Sequence, residues 1–239
     1  MPSLTDAVVA KDSRLGLNIL PRCTRKTRRK EQWNDVRFER IMRILIVGAS
    51  GAIGKAVAAE LSQRHEIVTA GRSSGEFRVD IADAASLREM YARAGSLDAV
   101  ACAAGNVHFG PLDSTTPEQF DVGLRDKLMG QVNLVLAGRS VVPPGGSFTL
   151  IGGVLSHDPI RLGASASMVN GALESFVRAA AIELTSHRIN LVSPTVLEES
   201  MAVYGPYFRG FEAVPARRVA LAYSKSIEGA QTGQIYRVL

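Results

Sequence analysis

An α/β fold, with helices on both faces of a doubly wound parallel sheet, is predicted by three features of the chain. Short apolar, β-branched runs alternate with helical stretches, the pattern of a parallel sheet buried on both sides. One run, Ile44-Leu45-Ile46-Val47, leads directly into Gly48-Ala49-Ser50-Gly51-Ala52-Ile53-Gly54. The chain has 239 residues, 46% of them hydrophobic, enough to bury the core of one such domain.

Taken in order, the first strand is expected over Arg43–Val47 and the first helix over Ala52–Leu61, with the glycines forming the turn between them. Further strands are expected at 67–70, 77–79, 99–101, 147–151, 189–192 and 234–238. Helices fill the intervals. The clearest helix start is Thr116-Pro117-Glu118-Gln119, which offers a capping hydroxyl, a proline in the first turn and a glutamine three residues after the cap. A long helix is expected over 165–184. No internal repeat or second domain is visible from Met42 onward.

The net charge of +5 is unevenly placed. Residues 1–41 hold ten of the 28 basic and five of the 23 acidic residues, which leaves eighteen of each sign from Met42 onward. The excess sits in a basic segment around Arg22, Arg25, Lys26, Arg28, Arg29 and Lys30, read as a solvated, disordered arm. A domain over 42–239 without excess charge does not point to nucleic acid as its partner. The arm has no apolar stretch of signal-peptide length, and its acidic residues disfavour a mitochondrial presequence. Because Met42 stands directly before the first strand, residues 1–41 read as a tail or an extension upstream of the natural start. No apolar run approaches the roughly 20 residues that span a membrane. The two cysteines, Cys23 and Cys102, form neither a disulfide framework nor a metal cluster, so no metal is expected and a reducing cytoplasm is the expected compartment.

The glycine loop carries the chemistry. After a buried strand, small residues let backbone amides approach a pyrophosphate, and the following helix turns its positive end toward the anion. Gly48, Ser50, Gly51, Ile53 and Gly54 are the expected phosphate contacts of a dinucleotide site. At the end of the second strand, Thr69-Ala70-Gly71-Arg72-Ser73-Ser74 places a guanidinium and hydroxyls where an NAD enzyme usually places a carboxylate. Arg72 and Ser73 therefore favour the 2′-phosphate of NADP. The alternatives are NAD held by Glu76, with Arg72 a solvated loop residue.

With the glycine loop, Arg72, Asp80, Ala103-Ala104-Gly105, Ser193-Pro194 and Thr232-Gly233-Gln234 in this order, the chain from Met42 to its end resembles the short-chain dehydrogenase/reductase family. The resemblance implies a Rossmann-type domain with a nicotinamide cofactor across its strand ends, an adenine contact from Asp80, and Ala103 and Gly105 beside the cofactor. It also implies a homodimer or homotetramer paired through the 165–184 helix and the helix around Lys127, although the same apolar helix surface could be the inside of a monomer. The family uses a tyrosine as proton donor, a lysine four residues later that lowers the tyrosine's pKa, and a serine on the same substrate oxygen. Here Ala166 stands at the tyrosine position, Asn170 at the lysine, Gly152-Gly153 at the serine, and Lys127 at a supporting asparagine. None of the five tyrosines has a lysine four residues on. The chain looks like a member of a divergent group within the family that keeps the cofactor loop without these catalytic residues.

Two classes of function stay open. One is an NADP-dependent oxidoreductase reducing a small apolar carbonyl compound with a different acid. Lys127 is its first candidate and would also serve as a structural lysine. Ser156, with His157 beside it, and His108 are further candidates, each equally readable as a loop residue. The second class is a cofactor-binding sensor or regulatory subunit without turnover. Met201, Tyr204, Tyr207, Phe208 and Phe211 read as a substrate lid, or else as core or a subunit contact.

Overall fold

The computed structural model describes residues 40–239. The basic segment read over 1–41 lies outside the described residues except for its last two, as does Cys23. Seven strands form one parallel sheet: β1 (Arg43–Val47), β2 (Glu66–Gly71), β3 (Phe77–Arg78), β4 (Ala99–Cys102), β5 (Ser147–Ile151), β6 (Arg188–Pro194) and β7 (Ile235–Val238). Their order is β3-β2-β1-β4-β5-β6-β7, with every neighbouring pair parallel. The chain starts in the middle of the sheet, winds outward to β3, then returns past β1 to β4. That reversal opens a crevice at the carboxyl ends of β1 and β4.

The helices are α1 (Ala52–Leu61), α2 (Ala84–Ala94), α3 (Pro117–Val122), α4 (Gly130–Gly138), α5 (Ala164–Glu183), α6 (Met201–Tyr204) and α7 (Ala216–Glu228), with a π-helical stretch over Gly123–Met129 joining α3 to α4. Strand alternation explains why both sheet faces are covered. On one face Leu45 and Val47 pack with Leu87 of α2, Leu134 of α4 and Leu173 and Val177 of α5. On the other, Ile44 and Ile46 pack with Val57 and Leu61 of α1 and Val219 and Tyr223 of α7. The four apolar side chains of β1, Ile44 to Val47, are at most 1% exposed, which a run of consecutive apolar residues requires.

All seven expected strands are present, two with the expected ends and five with an end shifted by one or two residues. β3 stops a residue early, although the Val79 amide still donates to the Gly71 carbonyl at 3.1 Å. The Thr116 capping box forms as read: the Gln119 amide donates to the Thr116 hydroxyl and the Thr116 amide to the Gln119 side chain. The π-helical stretch was not expected. Its extra residue per turn re-aims Asp126 and Lys127 toward the crevice and the strand ends behind it.

Candidate functional site

A cavity of about 450 Å³ occupies the crevice. Its walls are the β1–α1 turn (Gly48, Ser50, Gly51), the end of β2 (Gly71, Arg72, Ser73), Ala103 to Asn106 after β4, and Asp126. The turn can form only with glycine at two of its positions. Gly48 has φ +87°, and a Cβ there would sit 2.8 Å from the Ala103 carbonyl oxygen, while one at Gly54 would sit 2.1 Å from the Gly48 oxygen. No side chain caps α1 after Gly51, so the amides of its first turn stay open for an anion. This cradle fits a dinucleotide's phosphates.

Of the residues expected to touch the cofactor, Gly48, Ser50, Gly51, Arg72, Ser73, Ala103 and Gly105 line the cavity. Ile53, Gly54 and Asp80 are not among the lining residues. The Ile53 side chain packs into the apolar layer beneath α1, and Gly54 is buried against Gly48, so both shape the turn from outside. The Asp80 carboxylate accepts the Ala82 amide at 3.0 Å and lies 3.5 Å from Arg72. Arg72 Nη2 also lies 3.3 Å from Asp126 Oδ1, and Asp126 Oδ2 accepts from Asn106 Nδ2 at 2.7 Å. Asp126 and Asn106 escaped the sequence reading, because only the π-helical turn shows that Asp126 faces the cavity while its neighbour Lys127 does not. Glu76 lies outside the lining, its amide held by the Thr69 hydroxyl at 3.1 Å.

Lys127 is buried, and its Nζ donates to the Gly152 carbonyl at 3.0 Å and to Asn170 Oδ1 at 2.8 Å. Its stem runs under Gly105, where φ is +135° and a Cβ would come within 2.7 Å of Lys127 Cγ. Burial pushes the lysine pKa down to about 8, against an opposing pull from Cys102. Burial likewise pushes the Cys102 thiol up to about 12. Lys127 and Asn170 thus bond to each other at the two positions where the family resemblance implied asparagine and lysine, with the residue types exchanged. Ala166 is 2% exposed in an apolar cluster with Val154, Leu155, Val196 and Phe208.

The three candidate catalytic residues do not converge on one point. The Ser156 hydroxyl donates to Glu174 Oε1 at 2.6 Å, which turns it toward α5. His157 Nε2 lies 2.9 Å from Glu174 and 2.8 Å from Arg237 Nη2, and Arg178 donates to the same carboxylate at 2.9 Å. Burial raises the Glu174 pKa, but the bonds from Ser156, Arg178 and His157 outweigh it and hold the carboxyl below its usual range. Glu174 lies eighteen residues from Ser156, and no sequence spacing announced that pairing. His108 is half-buried, its ring set against Gly110 on the loop after β4. Phe109 and Tyr204 meet at 5.8 Å between ring centroids, and Phe208 and Phe211 meet edge-on at 5.2 Å. Of the residues read as a lid, Phe208 and Phe211 pack in the cluster around Ala166, and Tyr204 meets Phe109. Thr195 Oγ1, at the end of β6, is buried with no hydrogen-bond partner, an unspent polar atom beside this aromatic wall.

The chain is 49% identical to the protein lin1944 from Listeria innocua, covering 83% of this chain and 100% of that one at a TM-score of 0.82. A small-chain dehydrogenase solved with NADPH shares the fold at a TM-score of 0.75 with 23% identity, covering 83% of this chain and 97% of that one. Trihydroxynaphthalene reductase from Colletotrichum orbiculare is 27% identical over 183 residues, 66% of this chain and 65% of that relative, so the chain spans just under two thirds of its length. The family model described as enoyl-(acyl carrier protein) reductase matches residues 45–230. With that model matched over most of its length on a parallel sheet carrying the glycine-turn crevice, the chain belongs to the short-chain dehydrogenase/reductase family.

Proposed function

We propose that this chain is an NADP-dependent oxidoreductase that interconverts a small carbonyl compound and its alcohol, as a divergent family member whose proton source is not the usual tyrosine. The observation that carries the reading is the cavity wall itself, where a glycine cradle and an uncapped helix start face Arg72 and Ser73. Gly48, Ser50 and Gly51 would hold the diphosphate, and Arg72 with Ser73 the 2′-phosphate. Arg72 has exposed ion pairs with Asp80 and Asp126 that contribute about 0–1 kcal/mol. A phosphate accepting a charge-assisted pair of bonds displaces them readily. When bound, the cofactor supplies a hydride to the carbonyl carbon, and the protein must deliver a proton to the carbonyl oxygen.

Among the three candidates for that proton, Lys127 has the fitting acidity, since a buried ammonium with a pKa of about 8 can yield its proton near neutral pH. Asn170 and the Gly152 carbonyl hold it at the strand ends. Ser156 is engaged by Glu174, and His108 keeps a secondary place on the loop after β4. The reductase activity named for the Colletotrichum orbiculare relative supports the direction of the reaction. Exposed Val122 of α3, Met129 of the π-helical stretch, Leu136 of α4 and Met168 and Ile182 of α5 support a homo-oligomer joined through these helices.

The test is a fluorescence titration with NADPH and NADH, followed by a panel of carbonyl compounds offered with NADPH to the wild type and to Lys127→Ala. Turnover lost in Lys127→Ala with cofactor binding intact supports the assignment. Turnover that survives removes Lys127 as the acid, and binding with no turnover on any compound favours a cofactor-binding protein without catalysis.

A further inference from the structure

A second cavity, of about 530 Å³, is bounded by the β5–α5 loop (Pro159, Ile160, Arg161, Leu162) and by the segment after α6 (Pro206, Tyr207, Arg209, Phe211). Its apolar walls run into the cluster that buries Ala166, since Ile160 and Phe211 pack there with Leu155 and Phe208. Its rim is tied to the loop after β4, where the Gly110 amide donates to the Leu162 carbonyl at 3.0 Å. The cavity therefore adjoins the position where the family places its proton donor.

Its composition is unusual for an ordinary gap between loops. The polar side chains lining it are two guanidiniums and a phenol, with no carboxylate among the lining residues. Asp158 and Glu212 flank the lining in sequence, exposed and outside it. Among the described residues neither Arg161 nor Arg209 has an acid within ion-pair distance, and both are exposed. Two unneutralised cations lining one cavity attract an anion. Leu162 adds an independent sign. At φ +67° it is the one non-glycine residue with positive φ among the described residues, a conformation that costs a leucine about 1–2 kcal/mol. Strain of this kind persists where surrounding contacts demand a particular loop path, and it concentrates at ligand sites.

Resting on the reading of the chain as a carbonyl reductase, we propose that this cavity holds the far end of the substrate and that the substrate is a keto acid with an apolar body. Arg161 and Arg209 receive its carboxylate, and Ile160, Leu162, Tyr207 and Phe211 enclose the aliphatic or aryl part.

The proposal is tested without turnover by calorimetric titration of the full chain, in saturating NADP, with 3-phenylpropionate and with its neutral amide, 3-phenylpropionamide. A charge-assisted bond to a guanidinium gives the carboxylate an advantage of roughly tenfold or more. In Arg161→Gln/Arg209→Gln that advantage disappears while NADPH affinity and the urea midpoint stay at wild-type values. Arg139→Gln, an exposed charge elsewhere, leaves it intact. Leu162→Gly, which keeps the backbone path and removes the side chain, weakens both probes alike. Equal affinity for the two probes, binding of neither, a preference that survives the double substitution, or one abolished by Arg72→Ala overturns the proposal. Failure of NADPH to bind overturns the oxidoreductase reading instead, and the discrimination between the two probes, repeated without nucleotide, reports separately on this site.

Discussion

At the residue scale, Lys127 carries a consequence for stability that differs from its proposed chemistry. Its pKa is about 8 in the folded chain against 10.5 for an ordinary lysine. Below pH 8 both states hold the proton and the folded state bears the full penalty of burying it, on the order of 3 kcal/mol. Between pH 8 and 10.5 the unfolded chain holds more protons, so this residue makes stability rise with pH. Cys102, pushed up to about 12, works in the opposite direction at high pH and is common to both proteins compared. From pH 7.5 to pH 10 the urea midpoint of wild type is therefore expected to change in the upward direction relative to that of Lys127→Met, which lacks the lysine's rising contribution, and identical pH dependence of the two proteins would refute the buried ammonium. Arg72→Ala should loosen NADPH by about 10- to 100-fold and NADH by about twofold or less, measured by fluorescence titration. Glycines 48 and 54 were legible because backbone geometry leaves few alternatives there. Asp126, Asn106 and the Ser156–Glu174 pairing were not, because each depends on a partner brought in by the fold.

At the element scale, the strands could be read because seven short apolar runs need burial on both sides, and the Thr116 helix start because its capping residues act locally. The π-helical stretch leaves no such periodic mark. Its place is set by tertiary contacts: glycines at 123 and 130 let it lie close to Val169 of α5 and to Ile81, where a Cβ would come within 3.1 and 2.7 Å respectively. Immediately after it, Gln131 clasps the end of β5, donating to the Ile151 carbonyl at 2.9 Å and accepting its amide at 2.8 Å, fully buried. This clasp positions the Gly152 carbonyl that meets Lys127. Gln131→Leu leaves two buried backbone groups unpaired and is expected to destabilise the fold by about 2–4 kcal/mol. Chemical denaturation showing a loss well under 1 kcal/mol would mean that water or a rearranged strand end replaces the clasp.

For the whole molecule, the sheet reversal between β1 and β4 creates the crevice, helices packed on both sheet faces flank it, and the loop after β4 supplies part of its wall. The described unit, residues 41–239, contains every residue assigned to the cleft. A chain beginning at Met42 is accordingly expected to bind NADPH as tightly as the full chain, and a loss beyond about threefold in a side-by-side titration would show that the basic segment takes part. The most direct measurement of all is the parallel titration of the full chain with NADPH and NADH. Saturable binding with NADPH tighter by about tenfold or more is expected from a glycine cradle flanked by Arg72. No binding of either nucleotide, or a preference for NADH, would contradict it.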